Sequence, residues 1–199
     1  MAKDASYNVP YRRRREGKTD YRLRKDLILS GLPRIVIRKT RKYIIAQVIK
    51  ATEKGDEVIA SSHSRELRTK YGWLGNCDNL PASYLTGLIC GYRAVQKGVK
   101  EAVLDVGLQR PTKGSRIFSA LKGFTDAGVM APYGEDVLPS ESRISGEHIA
   151  KYAEKLSQQP ELFSRIFSEY LSRGLRPEDI PEHFHAIKEA IISCFEKQT

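Results

Sequence analysis

The spacing of hydrophobic positions changes along this chain, and each change marks a different kind of element. Residues 1–18 have no apolar period and contain Pro10, Gly17 and four consecutive arginines, Arg12 to Arg15. Repulsion among those cations predicts an arm that stays extended until anions neutralise it. A short helix follows, with Thr19 as its cap, Leu23, Leu27 and Ile28 on one face, and Gly31 then Pro33 as its stop. Arg22, Arg24 and Lys25 fall on or beside the other face. A period of two then takes over. Residues 34–38 (RIVIR) and 43–49 (YIIAQVI) read as strands joined by the polar link Lys39 to Lys42. Pairing position 38 with 43 puts 36 opposite 45 and 34 opposite 47. One face is then Ile35, Ile37, Ile44, Ala46 and Val48, all apolar. The other is Arg34, Val36, Arg38, Tyr43, Ile45 and Gln47, half polar. Residues 57–61 (EVIAS) read as a third strand after a Glu53–Asp56 turn, which predicts an antiparallel meander.

Helical spacing begins near Asn79 and runs to Lys97, with Leu80, Tyr84, Leu88 and Val95 in phase and Gly98 as its end. Residues 102–106 (AVLDV) form a short apolar run that follows a helix, so it is expected to join the sheet as a parallel strand. Arg116 to Ala127 is amphipathic through Ile117, Leu121 and Phe124, and residues 129–144 read as loop. Three further helices are expected at about 146–157, 161–173 and 178–196. Their apolar stripes are Ile149/Tyr152/Leu156, Leu162/Ile166/Tyr170 and Phe184/Ile187/Ile191/Phe195. The predicted fold class is α/β: an antiparallel β-meander plus a parallel strand packed on helices, with an extended basic N-terminal arm and extra C-terminal helices. The predicted division is arm and short helix at 1–32, α/β core at 33–145, and helical extension at 146–199.

Charge changes this picture more than composition does. Residues 1–42 hold 14 of the 34 Lys/Arg and 4 of the 24 Asp/Glu, a net of +10 that equals the charge of the whole chain. Solubility needs no such imbalance, since interspersed signs serve equally well. A basic segment leading into a neutral body is the footprint of a polyanion binder. Cys77, Cys90 and Cys194 are odd in number and widely spaced, which excludes a disulfide framework and a Cys-x-x-Cys zinc site. No apolar stretch follows the first charges, so no secretory signal is expected, and no run approaches the ~18 apolar residues of a membrane span. A soluble intracellular protein is expected, with no membrane partner.

Candidate chemistry concentrates in the arm. Tyr11, Arg12, Arg13, Arg14, Arg15, Lys18, Tyr21, Arg22, Arg24 and Lys25 combine guanidinium forks, which hold phosphate oxygens, with rings that stack on bases. A nuclear address, a membrane patch and a merely solvated tail are the alternatives, and residues 1–18 lack the apolar moment a membrane anchor requires. Arg34, Arg38, Tyr43 and Gln47 on the half-polar sheet face, with Lys39, Arg41 and Lys42 at the hairpin turn, form a second candidate surface. The segment Gly107 to Arg116 lacks phosphate-loop spacing and reads as a basic turn in which Ser115 caps the next helix, leaving Arg110, Lys113 and Arg116 as possible phosphate contacts. Asp105 ends a core strand without the company of the several carboxylates that metal-dependent hydrolysis needs, so capping or a salt bridge is its expected role. His63, His148, His183 and His185 have no zinc spacing, and His183 and His185 are expected on the surface. Trp73, in the loop Tyr71 to Asn79, either stacks on a base or plugs the end of the sheet. No catalytic residue, cofactor or metal is expected; a free nucleic-acid-binding regulator and a metal-dependent nuclease are the competing functions.

Three segments in order then resemble one family: Thr19 to Ile49; KYG with PASYLTGLICGYRA, between Lys70 and Ala94; and LDVGLQRPTKGSRIFSALKGFTDAGV, Leu104 to Val129. They resemble the large-subunit ribosomal proteins that bind 5S ribosomal RNA, number eighteen in the bacterial and archaeal scheme and number five in the eukaryotic one. The resemblance covers about residues 7–155. It implies a cytoplasmic protein of the large ribosomal subunit that clasps 5S rRNA and helps dock it on the large-subunit rRNA in the central protuberance. Its arm, Tyr11 to Lys25, would thread between RNA segments, and Arg34, Arg38, Lys39, Arg41 and Tyr43 would face the 5S rRNA. Helices continuing past residue 146, without a lysine-rich tail, point to the archaeal type, and neighbouring ribosomal proteins are the expected partners of those helices.

Overall fold

The computed structural model describes residues 4–197, so the outermost positions of the arm (1–3) and of the extension (198–199) lie outside the described residues. The arm is not featureless. Helix α1, Arg12–Arg15, closes a single turn. Glu16 lies 3.8 Å from Arg12 and Arg13 Nε donates to Thr19 Oγ1 at 2.9 Å, while Tyr11 packs on Tyr21 with ring centroids 5.0 Å apart. These local contacts oppose the repulsion that predicted an extended chain. Helix α2, Tyr21–Leu29, is capped one residue later than expected: Asp20, not Thr19, accepts the N–H groups of Arg22 and Leu23. A carboxylate is the stronger cap because it also meets the positive end of the helix dipole.

The sheet has the order β3-β2-β1-β4, built from β1 Arg34–Lys39, β2 Ile44–Thr52, β3 Gly55–His63 and β4 Val103–Asp105. β4 runs parallel to β1, as its position after a helix predicted. The meander is antiparallel, but its register is two residues from the expected one: Arg34 pairs with Ile49, Val36 with Gln47 and Arg38 with Ile45. Lys39 belongs to the strand rather than the link, and the turn is Thr40 to Tyr43, closed by Thr40 Oγ1 donating to the Tyr43 carbonyl and accepting its N–H. An even slip keeps every side chain on its face. Ile35, Ile37, Ile44, Ala46 and Val48 are therefore fully buried, as predicted.

That face packs on α4, Leu80–Gln96, and α5, Arg116–Asp126. The two helices meet backbone to backbone. A Cβ on Gly87 would run into the Ala120 carbonyl, and one on Gly123 into the Tyr84 carbonyl. Ser115 has the N-cap backbone of α5, but its side chain makes no capping bond. Val95, expected in phase with the core, is exposed. Helix α3, Arg65–Tyr71, was not legible as a helix; Glu66 holds it to α4 by an ion pair with Arg93 at 2.7 Å. Residues 129–144 are less irregular than expected, holding a 3-10 turn at Glu135–Val137 and the start of α6, Glu141–Ser145.

The extension contains α7 Glu147–Leu156, α8 Pro160–Ile166, α9 Ser168–Leu171 and α10 Ile180–Glu196. The helix expected over 161–173 is thus broken at Phe167, whose ring turns into a small core with Leu156, Tyr170 and Ile180. Leu162, Ile166 and Tyr152 from the expected stripes are exposed instead. The α10 stripe behaves as predicted: Phe184, Ile187, Ile191 and Phe195 pack with Tyr84, Leu85, Leu88 and Trp73 on the side of α4 away from the sheet. Trp73 is fully buried and its Nε1–H donates to the Asn76 carbonyl, so it neither stacks on a base nor plugs the end of the sheet but fills the core shared by α4 and α10. His183 is half-buried rather than a free surface residue: its ring stacks on Trp73 and its Nε2 accepts the Leu74 N–H at 3.0 Å.

Candidate nucleic-acid interface

The second sheet face carries a chain of ion pairs that joins the arm to the sheet. Arg24 on α2 makes a bidentate pair with Asp56 at 2.8 and 2.9 Å. Arg34 bridges Asp56 at 3.0 Å and Asp105 at 2.9 Å. Arg38 completes the chain with Nη2 to Asp105 Oδ1 at 2.8 Å, and its Nη1 donates to the Asp105 carbonyl. Asp105 also accepts the Gly107 N–H at 2.8 Å. Its expected role as a salt-bridged carboxylate is what the geometry shows. Burial pushes the Asp56 carboxyl up, but Arg24 and Arg34 outweigh it and hold the group below its ordinary value. Arg34, expected to face RNA, has 4% of its side chain exposed and both terminal nitrogens engaged. It is a tie within the protein and presents nothing to a phosphate in solvent. Arg38 is half-exposed beside it.

The exposed cations lie around this anchored seam. Arg12, Arg13, Arg14, Arg15, Lys18, Arg22 and Lys25 are all exposed on the arm. Arg14, Arg15, Arg22 and Lys25 have no side-chain partner among the described residues, and Tyr11 leaves 72% of its surface free. Between arm and sheet opens a cleft of about 490 Å³, bordered by Arg13, Lys18, Tyr21, Leu23, Leu27, Val36, Gln47 and Ile49. Strand pairing sets Val36 beside Gln47, and the Arg24–Asp56 pair ties α2 to the sheet across the cleft.

The other candidates divide. Arg41 and Lys42 are exposed at the hairpin turn, whereas Tyr43 turns inward against His63, ring centroids 5.0 Å apart. The Lys39 backbone is tied to Gln109, whose amide bonds both its N–H and its carbonyl. In the basic turn only Arg110 is exposed without a partner among the described residues. Lys113 is paired with Asp136, and Arg116 donates to the Asp78 carbonyl at 2.7 Å. Arg41 and Lys42 border a second hollow of about 310 Å³ with Arg68 and Arg173, two cations that the sequence did not single out. They arrive from α3 and from the turn after α9, and no local pattern could have united them.

Among the described residues no group of three or more His, Cys, Asp or Glu could hold a metal ion, and no helix is long and apolar enough to cross a membrane. Asp105 stands between two arginines rather than among carboxylates, which removes the geometry of metal-dependent hydrolysis at that position.

Comparison with known proteins places the chain in one family. The family model described as "Ribosomal large subunit proteins 60S L5, and 50S L18" matches residues 5–101 and 93–134. The chain is 52% identical over 198 residues to "Large ribosomal subunit protein uL18" of Caldivirga maquilingensis, covering 99% of this chain and 96% of that protein. The family model stops before the C-terminal helices and the archaeal relative includes them, so the extension is shared with that type of member. On these grounds the chain belongs to the large-subunit ribosomal protein family of 60S L5 and 50S L18, and it is a structural component of the large ribosomal subunit rather than an enzyme.

Proposed function

We propose that the chain binds 5S rRNA and helps attach it to the large-subunit rRNA, forming part of the central protuberance. The observation that carries this reading is the concentration of net charge in residues 1–42, with Arg14, Arg15, Arg22 and Lys25 exposed and uncommitted beside a sheet that anchors the arm. Folded RNA is a dense array of phosphates, and each phosphate neutralised by a fixed cation releases condensed counterions. The arm supplies the grip, Arg41 and Lys42 extend it along the hairpin end of the sheet, and Arg34 and Asp105 hold the seam rigid. The exposed side chains of Tyr152, Leu162 and Ile166 suit contact with neighbouring ribosomal proteins.

The test is a titration of the protein with its cognate 5S rRNA at physiological salt, with transfer RNA and single-stranded RNA as competitors. Selective binding to 5S rRNA is the expected result. Equal binding to all three would reduce the arm to a generic polyanion grip and favour a free RNA-binding regulator.

A further inference from the structure

The cleft between arm and sheet has features that a phosphate grip leaves unexplained. Part of its lining is apolar, from Leu23 and Leu27 of α2 and from Val36 and Ile49 of the strands. The two carboxylates in it, Asp56 and Asp105, are held by three arginines, Arg24, Arg34 and Arg38. Two directional groups are left over. The Gln47 carboxamide, paired across the sheet from Val36, borders the cleft and makes no side-chain hydrogen bond among the described residues. The Arg34 Nε–H is buried without a partner. Toward solvent the cleft is bordered by the exposed Arg13 and Lys18, and by the Tyr21 ring.

We propose that this cleft takes one nucleotide of the bound RNA, turned out of its stack. The base lies between the aliphatic walls and Tyr21, Gln47 hydrogen-bonds its edge, and Arg13 and Lys18 hold its phosphate. Sequence-specific RNA recognition works in this way on unstacked bases, which offer both a flat face and a hydrogen-bonding edge. A carboxamide carries a donor and an acceptor side by side, and so matches a base edge that presents the complementary pair. The volume lies within the ~300–1,000 Å³ of small-ligand sites. A bare phosphate would leave the apolar side chains and the Gln47 carboxamide of the cleft unused. The proposal rests on the RNA-binding reading above and adds base recognition to it.

The test compares Gln47→Ala and Leu27→Trp with the unaltered protein, measuring the Kd for 5S rRNA across a salt series. Gln47→Ala should bind roughly tenfold more weakly with an unchanged salt slope, because an edge contact is lost and no phosphate contact is, and Leu27→Trp, which fills the cleft, should bind at least as weakly. Single abasic substitutions along the RNA should then reveal one position where base removal weakens the unaltered protein more than it weakens Gln47→Ala. Circular dichroism checks that Leu27→Trp keeps the arm helices; if it does not, Gln47→Ala decides alone. Undiminished affinity in Gln47→Ala, or a loss that comes with a lower salt slope, would overturn the nucleotide cleft. Either result would leave 5S rRNA selection by the unaltered protein intact, so the two readings fail separately.

Discussion

Arg34 and Arg38 share a residue type, a strand and a face, yet they have different fates. In the β1–β4 register Asp105 pairs with Val36, midway between the two arginines, so its carboxylate reaches both. Arg34 lies at the buried end, where Asp56 closes on it from β3, and Arg38 lies toward the open end. Replacing Arg34 with Met leaves the buried Asp105 carboxylate to Arg38 and the exposed Asp56 to Arg24, a loss of about 3 kcal/mol by denaturant unfolding. The salt slope of RNA binding by the folded fraction should not change, whereas a direct phosphate contact would lower it by about one unit. Glu66 gives the pH counterpart. Burial raises its carboxyl, but Arg93, Lys70 and the His63 N–H pull it from the ordinary 4.5 to about 2. With the folded value below the unfolded one, the carboxylate stabilises the fold at neutral pH, and that contribution is lost as pH falls from about 4.5 to about 2. Glu66→Gln should flatten the stability–pH curve in that window when melting temperature is followed by circular dichroism.

At the scale of elements, alternation and helical spacing carried most of the assignment, and the misses have physical causes. The β1–β2 register slipped by two because the link was read as Lys39 to Lys42, while Thr40 closes the turn on Tyr43 instead. Side-chain faces survive an even slip, so the predicted core did too. α3 escaped because its seven residues RELRTKY bury only Leu67, and an ion pair to α4 rather than an apolar stripe holds it. α8 and α9 were read as one helix because their composition is helical throughout; the break appears where Phe167 packs on Tyr170. The basic turn α1 is the element whose role is tested most directly. Replacing Arg12–Arg15 with Ala removes up to four phosphate partners and should reduce the slope of log Kd against log salt by about 3 units. An unchanged slope would take α1 out of the binding surface.

At the scale of the molecule, α4 is the centre: one side packs on the sheet and the other receives α10. The C-terminal helices are therefore part of the same buried interior, although the charge-rich arm and the extension look like separable additions in sequence. A chain ended after residue 145 would expose Trp73, Tyr84, Leu85 and Leu88, each worth roughly 1.5–3 kcal/mol of burial. Such a protein should bind a hydrophobic dye and melt at lower temperature than the full chain, and a chain that kept its melting temperature would show that the extension only decorates the core. Local order along the chain determined the class of fold, the two faces of the sheet and the basic arm, because spacing and charge act between near neighbours. Tertiary structure alone decided which cations remain free. Arg34 and Arg116 are sequestered by Asp105 and Asp78 from distant segments, Arg68 and Arg173 are carried to the hairpin turn, and Arg24 finds Asp56 to form the cleft. Ion pairing acts across space without a period, and so leaves no pattern in the chain that forms it.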